Sequence, residues 1–287
     1  MSIDTRLRDT TRDTAPELQA IAERFVQARL QGASLPDFPG DIPPDLETAY
    51  RVQDTAIARW PDQVVGWKVG FIAPERRDVS GDERLLGPIF ARNLWSAGNG
   101  DLDLPVFAGG FGAVEAEYVI RLEADVPAEK QDWTPAETES VPASLHTGIE
   151  VASSPLATIN ILGPLVVVSD FGNNNGLVLG NEIPQWRDIP EHELVCSTFI
   201  EGVEVGTGGA TRLPGGLRAA FAFALNRLAR RGIAAKAGDL IATGNATGIH
   251  DILAGQNTHV SFAGFGDIAC HAVAAPPLAQ ASTESAT

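Results

Sequence analysis

Two carboxylates spaced i, i+2 inside an apolar, β-branched run constrain this chain more than any other feature. The segment Val114-Glu115-Ala116-Glu117-Tyr118-Val119-Ile120-Arg121-Leu122 reads as a strand, and strand side chains alternate between faces, so Glu115 and Glu117 point the same way. Their face also carries Val119 and Arg121, while Val114, Ala116, Tyr118 and Ile120 form the other. A third acid, Glu150, lies in the strand-like run Thr147-Gly148-Ile149-Glu150-Val151. One reading leaves the pair facing water, the commoner fate of Glu in a half-exposed strand. The other buries three acids, each costing several kcal/mol unless a proton or cation compensates it. The mixed character of the acid face and the apolar setting of Glu150 favour burial. Oxygen-only ligation of this kind suits a hard ion such as Mg²⁺ or Mn²⁺, which keeps positions for water or substrate.

Charge narrows the partners. The 37 acidic against 21 basic residues give a net charge of −16, a far field that repels polyanions and argues against nucleic acid or an anionic membrane. A small anionic substrate stays compatible, because a bound divalent cation dominates at short range. Cys196 and Cys270 have no close spacing for zinc or a redox pair and read as buried free thiols. Residues 1–14 alternate Arg, Asp and Thr without an apolar segment, and no apolar run is long enough to span a bilayer, so the expectation is a cytoplasmic protein.

Along the chain, Ile21, Phe25, Val26 and Leu30 recur at helical spacing before Gly32, and a second amphipathic helix starts at Asp45 and stops near Pro61. Residues 64–71 read as a strand with one cation, Lys68, among apolar neighbours; a strand lysine can also be a snorkelling surface residue. Residues 74–86 read as a charged loop and a lid candidate, with order resuming at Gly87. Residues 127–142 read as a surface excursion with a short helix from Thr134. Residues 165–169 are β-branched and read as a strand that breaks at Asp170-Phe171-Gly172-Asn173-Asn174-Asn175-Gly176, where this density of Asn and Gly demands a tight turn, and resumes at Leu177. Leu217, Phe221, Ala224, Leu225 and Leu228 mark a core-facing helix, followed by short strands from Gly238 onward. None of the five histidines has metal spacing, although His146 lies near Glu150. The Gly-x-Gly pairs lack the strand-to-helix setting of a dinucleotide site.

Glu-Ala-Glu in a strand, a Glu about thirty residues later, the upstream Gly66-Trp67-Lys68-Val69-Gly70, residues 170–180 and Gly238-Asp239-Leu240-Ile241-Ala242-Thr243-Gly244 together resemble the fumarylacetoacetate hydrolase superfamily. The resemblance is to its 2-keto-4-pentenoate hydratase and oxalocrotonate decarboxylase branch and covers residues 15–273. It implies an α+β fold, a mixed β-roll or barrel with flanking helices. The expected organisation is a disordered N-terminus (1–14), a helical segment (15–62), a catalytic domain (63–273) and a disordered tail (274–287). It also implies a homo-oligomer.

The same resemblance implies a metal-dependent hydratase of aromatic catabolism that converts a 2-hydroxy-2,4-dienoate or 2-oxo-enoate to a 4-hydroxy-2-oxo acid. A decarboxylase of an oxalocrotonate-type diacid, another enolate-forming lyase or hydrolase of the superfamily, and a non-catalytic metal-binding scaffold are the alternatives. Glu115, Glu117 and Glu150 would hold Mg²⁺ or Mn²⁺. Lys68, its pKa lowered by burial, would shuttle protons with Asp170 as a supporting catalytic residue, while Asn174, Thr243 and Gly244 would contact a small anionic 2-oxo acid. Two departures stand out: hydratases of this branch carry an acid two positions before the glycine aligned with Gly87, where this chain has Leu85, and no His lies between Phe71 and Val114 to form a hydrolase dyad.

Overall fold

The computed structural model describes residues 15–98 and 102–278, so the expectations for residues 1–14 and 279–287 fall outside it. Helix α1 (Ala15–Gln31) ends where Gly32 takes φ +60° and the amide of Ala33 donates to the carbonyl of Ala28, a left-handed cap that satisfies the last turn. Helix α2 (Leu46–Ile57) begins at Asp45, whose carboxylate accepts from the Thr48 amide at 2.8 Å, a cap of about 1 kcal/mol. Strands β1 (Val64–Phe71), β2 (Arg84–Phe90), β3 (Leu94–Ser96), β4 (Leu102–Val106), β5 (Phe111–Leu122) and β6 (Ala143–Ser154) follow. Next come two short helices, α3 (Ile159–Leu162) and α4 (Pro164–Ser169), strand β7 (Asn174–Glu182) and the hairpin β8 (Val195–Ile200) and β9 (Val203–Gly209). Helix α5 (Gly216–Arg230) and strands β10 (Leu240–Asn245), β11 (His250–Asp251), β12 (Asn257–Phe262) and β13 (Gly266–Ala274) complete the described chain.

The strands form two mixed sheets, the α+β architecture expected. One runs β2-β1-β10-β5-β6-β7-β3 with β11 beside β5, and the other β4-β13-β12-β8-β9. Strand β5 is shared in its packing, and its alternation decides what each side sees. Tyr118 stacks edge-on against Phe262 of the second sheet at 5.7 Å, joined in one large core by Val114, Ala116 and Ile120. The opposite face turns Glu115, Glu117 and Val119 into the concave side of the first sheet. That sheet curls on itself: Ile89 of β2 and Leu177 of β7, far apart in strand order, meet Val119, Leu240 and Ala242 in one small apolar cluster. Oily packing therefore closes the base of the roll, with the acids two and four residues nearer the start of β5.

Three details differ from the sequence-based reading. Residues 165–169 are helical, in α4, because Pro164 at the first helical position presets the backbone and the valines bury against α2 rather than in a sheet. Strand β2 already begins at Arg84, so Arg84, Leu85 and Leu86 are buried strand residues, not loop. The chain after Ala274 remains tied as far as Leu278, whose amide donates to the carbonyl of Leu30, while Ala275 donates to Val106. Helices α1 and α2 contribute Phe25, Leu46 and Tyr50 to the same core as the sheets.

Candidate active site

Antiparallel register sets Glu115 of β5 directly opposite Glu150 of β6, and Glu117 opposite Gly148. Carboxylate oxygens of the three acids lie within 4.8 Å of one another, and the side chains are 0–3 % exposed. Each keeps one buried oxygen without a hydrogen-bond partner: Oε1 of Glu115, Oε1 of Glu117 and Oε2 of Glu150. Their remaining contacts come from fixed donors. Gly244 N–H donates to Glu117 Oε2 at 2.7 Å, Asn174 Nδ2 to Glu150 Oε1 at 3.0 Å, and the Asn245 side chain to Glu115. Three orphaned oxygens converging from oriented carboxylates fit a hard divalent cation.

Lys68 joins them from β1, with Nζ 3.2 Å from Glu150 Oε1. Burial, the largest single influence, pulls its pKa down, but the charges of Glu150, Glu115 and Glu117 and the hydrogen bond to Glu150 outweigh it, so the net shift is upward. The expected lowering does not hold for these four residues alone: Lys68 is an ammonium here. The acids respond in kind. Burial and the neighbouring Glu150 raise Glu115 to about 7, and burial with Glu150 and Glu115 raises Glu117 well above the ordinary carboxylate range.

These shifts set a sign. In metal-free protein, unfolded glutamates lose their protons near pH 4.5, whereas folded Glu115 and Glu117 retain them, so the native state binds more protons and stability falls as pH rises. His146 and His250, both lowered chiefly by burial, act oppositely only below their ordinary value of 6.5. Thermal stability in chelator is therefore expected to fall as pH rises above about 4.5 and through about 7, the two histidines offsetting part of the fall below 6.5, with Mg²⁺ restoring more at the upper end. A flat profile, or one that Glu117→Gln leaves unchanged, would contradict the assigned acid cluster.

Over the acids opens a cavity of about 330 Å³. Its polar lining includes Lys68, Glu115, Asn173 and Asn245; Leu85, Pro164 and Val167 supply apolar wall, and Arg76 also borders it. Not every expected residue reaches this space. Asn173 lines it, whereas Asn174 turns to Glu150; Asn173 has φ +55°, which rotates the two side chains apart. Gly244 meets Glu117, and Thr243 Oγ1 donates to the carbonyl of Tyr118 at 2.7 Å. His146 is engaged with Ser144 and the carbonyl of Gly180, away from the cavity.

Asp170 is also outside the cavity lining. Both its carboxylate oxygens are taken by Arg29 of α1, Nε to Oδ1 at 2.5 Å and Nη2 to Oδ2 at 2.9 Å, and Ser154 Oγ donates to Oδ2 at 2.6 Å. Arg29 further donates to the carbonyls of Asn174 at 3.1 Å and Ser153 at 3.1 Å. The pair thus clamps the loop that presents Asn173 and Asn174 to the site. On the loop's other side Gly172, at φ +64°, lies against Gly87: a Cβ on Gly87 would sit 2.2 Å from the carbonyl oxygen of Phe171. Arg29, Asn173, Asn245 and Arg76 escaped the sequence reading. Only Asn245 carried a local signal, next to Gly244 at the end of an already conspicuous run.

No family model matches the chain. It is 27 % identical over 236 residues to a protein from Pseudomonas sp. named 4-oxalocrotonate decarboxylase, covering 80 % of this chain and 88 % of that one. It is likewise 27 % identical over 232 residues to a 2-keto-4-pentenoate hydratase from Burkholderia vietnamiensis, covering 79 % and 86 %. Among solved structures, the 4-oxalocrotonate decarboxylase of Pseudomonas putida G7 complexed with magnesium and adipate superposes with a TM-score of 0.75 at 20 % identity, over 91 % of this chain and 98 % of that one.

Proposed function

We propose, from the premise of a fumarylacetoacetate hydrolase-type fold and homologues named as a hydratase and a decarboxylase, that this chain is a divalent-metal-dependent lyase. Its substrate is a 2-hydroxy-2,4-dienoate or 2-oxo-enoate, and its first reaction is hydration to a 4-hydroxy-2-oxo acid. The observation that carries this reading is the trio of orphaned carboxylate oxygens on Glu115, Glu117 and Glu150, with the buried ammonium of Lys68 beside them, 3.2 Å from the other carboxylate oxygen of Glu150, Oε1.

Glu115, Glu117 and Glu150 would hold Mg²⁺ or Mn²⁺, which would supply Lewis-acid stabilisation of negative charge developing on the substrate's 2-oxygen. The chain's own groups do the rest. Lys68, fixed by Glu150, donates a proton to carbon of the dienolate and later recovers one, and its buried position keeps bulk water from short-circuiting the transfer. Asn173 and Asn245 offer amide donors and acceptors to the substrate's polar end, while Leu85, Pro164 and Val167 hold its unsaturated chain. Addition of water across the resulting enone then gives the hydroxy acid. Asp170, Asn174, Thr243 and Gly244 act by positioning.

Decarboxylation is the second reading, and Leu85 favours it. This side chain is 4 % exposed and lies on the cavity wall, so no carboxylate stands there to take a proton from attacking water. Loss of CO₂ from an oxalocrotonate-type diacid needs only enolate stabilisation and a proton returned to carbon, both available from the same groups.

The experiment follows ultraviolet loss of 2-hydroxypenta-2,4-dienoate and of an oxalocrotonate-type diacid with Mg²⁺ or Mn²⁺, analysing for 4-hydroxy-2-oxo acid and CO₂. Consumption of at least one substrate, abolished by chelator, is expected; consumption of neither would sink both readings. Among the described residues no helix is long and apolar enough to cross a membrane. We further place the protein in the cytoplasm, within aromatic catabolism, as a homo-oligomer. Sedimentation of the same preparation as a concentration-independent 30.3 kDa species would refute the oligomer.

A further inference from the structure

We infer that Arg76, at the mouth of the cavity, receives a second carboxylate at the far end of the substrate, so that the chain selects diacids over their monocarboxylic counterparts. The inference rests on the reading of the cavity floor given above and adds a specificity residue to it.

The cavity has two chemically different ends. Its floor holds the buried Lys68 and Glu115, and its mouth is marked by Phe71 and Ile249, 43 % and 47 % exposed, together with the exposed Arg76. Apolar wall lies among them, with Leu85, Pro164 and Val167 offering a mid-chain carbon nothing to hydrogen-bond. Among the described residues lining this cavity, Arg76 is the cation left for a second anionic group of a ligand, since Lys68 is already paired with Glu150.

Arg76 is held but not neutralised. Its Nη1 donates to the backbone carbonyl of Asn160 at 2.7 Å, and the Asn160 side chain accepts from Asn173 Nδ2 at 3.1 Å, which ties the guanidinium to the cavity wall. That bond uses one of five N–H donors and goes to a neutral acceptor. Among the described residues nine arginines have a carboxylate within ion-pair distance; Arg76, like Arg24, Arg51, Arg92, Arg121 and Arg212, has none, and of those six it is the one that lines the cavity, in a chain of net charge −16. A planar guanidinium with free donors at the edge of an apolar slot matches the two-oxygen geometry of a carboxylate. The surrounding negative field makes an unsatisfied cation there a marker for a small anion rather than for a protein partner.

The test uses two unreactive six-carbon acids that differ only at the far end, 2-oxoadipate with a terminal carboxylate and 2-oxohexanoate with a methyl. Calorimetry on the Mg²⁺-loaded protein is expected to show 2-oxoadipate binding about 10-fold or more tightly than 2-oxohexanoate, with the preference shrinking at high salt. Arg76→Gln should weaken 2-oxoadipate by about 10-fold while moving 2-oxohexanoate less than about 2-fold, and Arg76→Lys should retain part of the preference. Equal affinity of the wild-type protein for both acids overturns the inference, as does a glutamine variant that weakens both alike or neither. Binding of neither acid by wild-type protein overturns the floor reading and the inference with it.

Discussion

Lys68→Met is expected to retain Mg²⁺ affinity while turnover of the dienoate falls by about 10²- to 10⁴-fold, the range for one general acid or base. The two readouts separate because the residue plays two electrostatic parts. Its ammonium stands 3.2 Å from Oε1 of Glu150, so its removal takes away a positive neighbour of the cation and leaves affinity equal or tighter. The thioether has about the same reach and apolarity but carries no proton, so the step at carbon loses its donor while the pocket keeps its shape. Calorimetric metal titration beside an ultraviolet assay reads both quantities. Full activity of the variant would move the proton carrier elsewhere; loss of metal binding would make Lys68 a folding residue.

Arg29→Met should lower stability by about 3–5 kcal/mol, the cost of stripping one partner from a buried ion pair. At about 2–4 °C of melting temperature per kcal/mol for a chain of this size, thermal unfolding shifts down by about 6–20 °C. The magnitude follows from what remains behind: an Asp170 carboxylate with no exposed surface to rehydrate, plus the carbonyls of Ser153 and Asn174 without their donor. Arg29→Lys rescues little, because one ammonium cannot reproduce a fork that reaches both carboxylate oxygens and two carbonyls. Asp170→Asn in the Arg29→Met background should recover part of the loss, since it removes the unpaired charge. A single-variant loss under about 1 kcal/mol would show that the pair is not the clamp described.

The site's centre was legible because it is written in short-range periodicity. Glu115 and Glu117 share a face by strand alternation alone, Glu150 sits in an apolar run of the same kind, and Lys68 is the one cation of its strand. What surrounds the centre was hidden for definable reasons. Residues 165–169 carry strand propensity, yet Pro164 and burial against α2 override it. Asn173 and Asn174 are adjacent, and which one faces the cavity depends on a single left-handed residue that no composition rule assigns. The direction of the Lys68 shift turned on how many acids approach it, a tertiary fact; burial alone argues the opposite way. Arg76 looked like loop charge, and only the cavity gives it a neighbourhood.

The distance along the chain between Arg29 and Asp170 has a consequence for biosynthesis. They are 141 positions apart, so the first helix leaves the ribosome long before its counter-charge exists. Translation at about 5–20 residues per second leaves that guanidinium waiting roughly 7–28 s for its partner. During that interval α1 can bury its apolar stripe only provisionally, because seating Arg29 without Asp170 would strand a bare cation in the core. The helix made first is thus among the last elements able to reach its final place, and a nascent chain that stalls before residue 170 exposes an amphipathic helix with nowhere to settle.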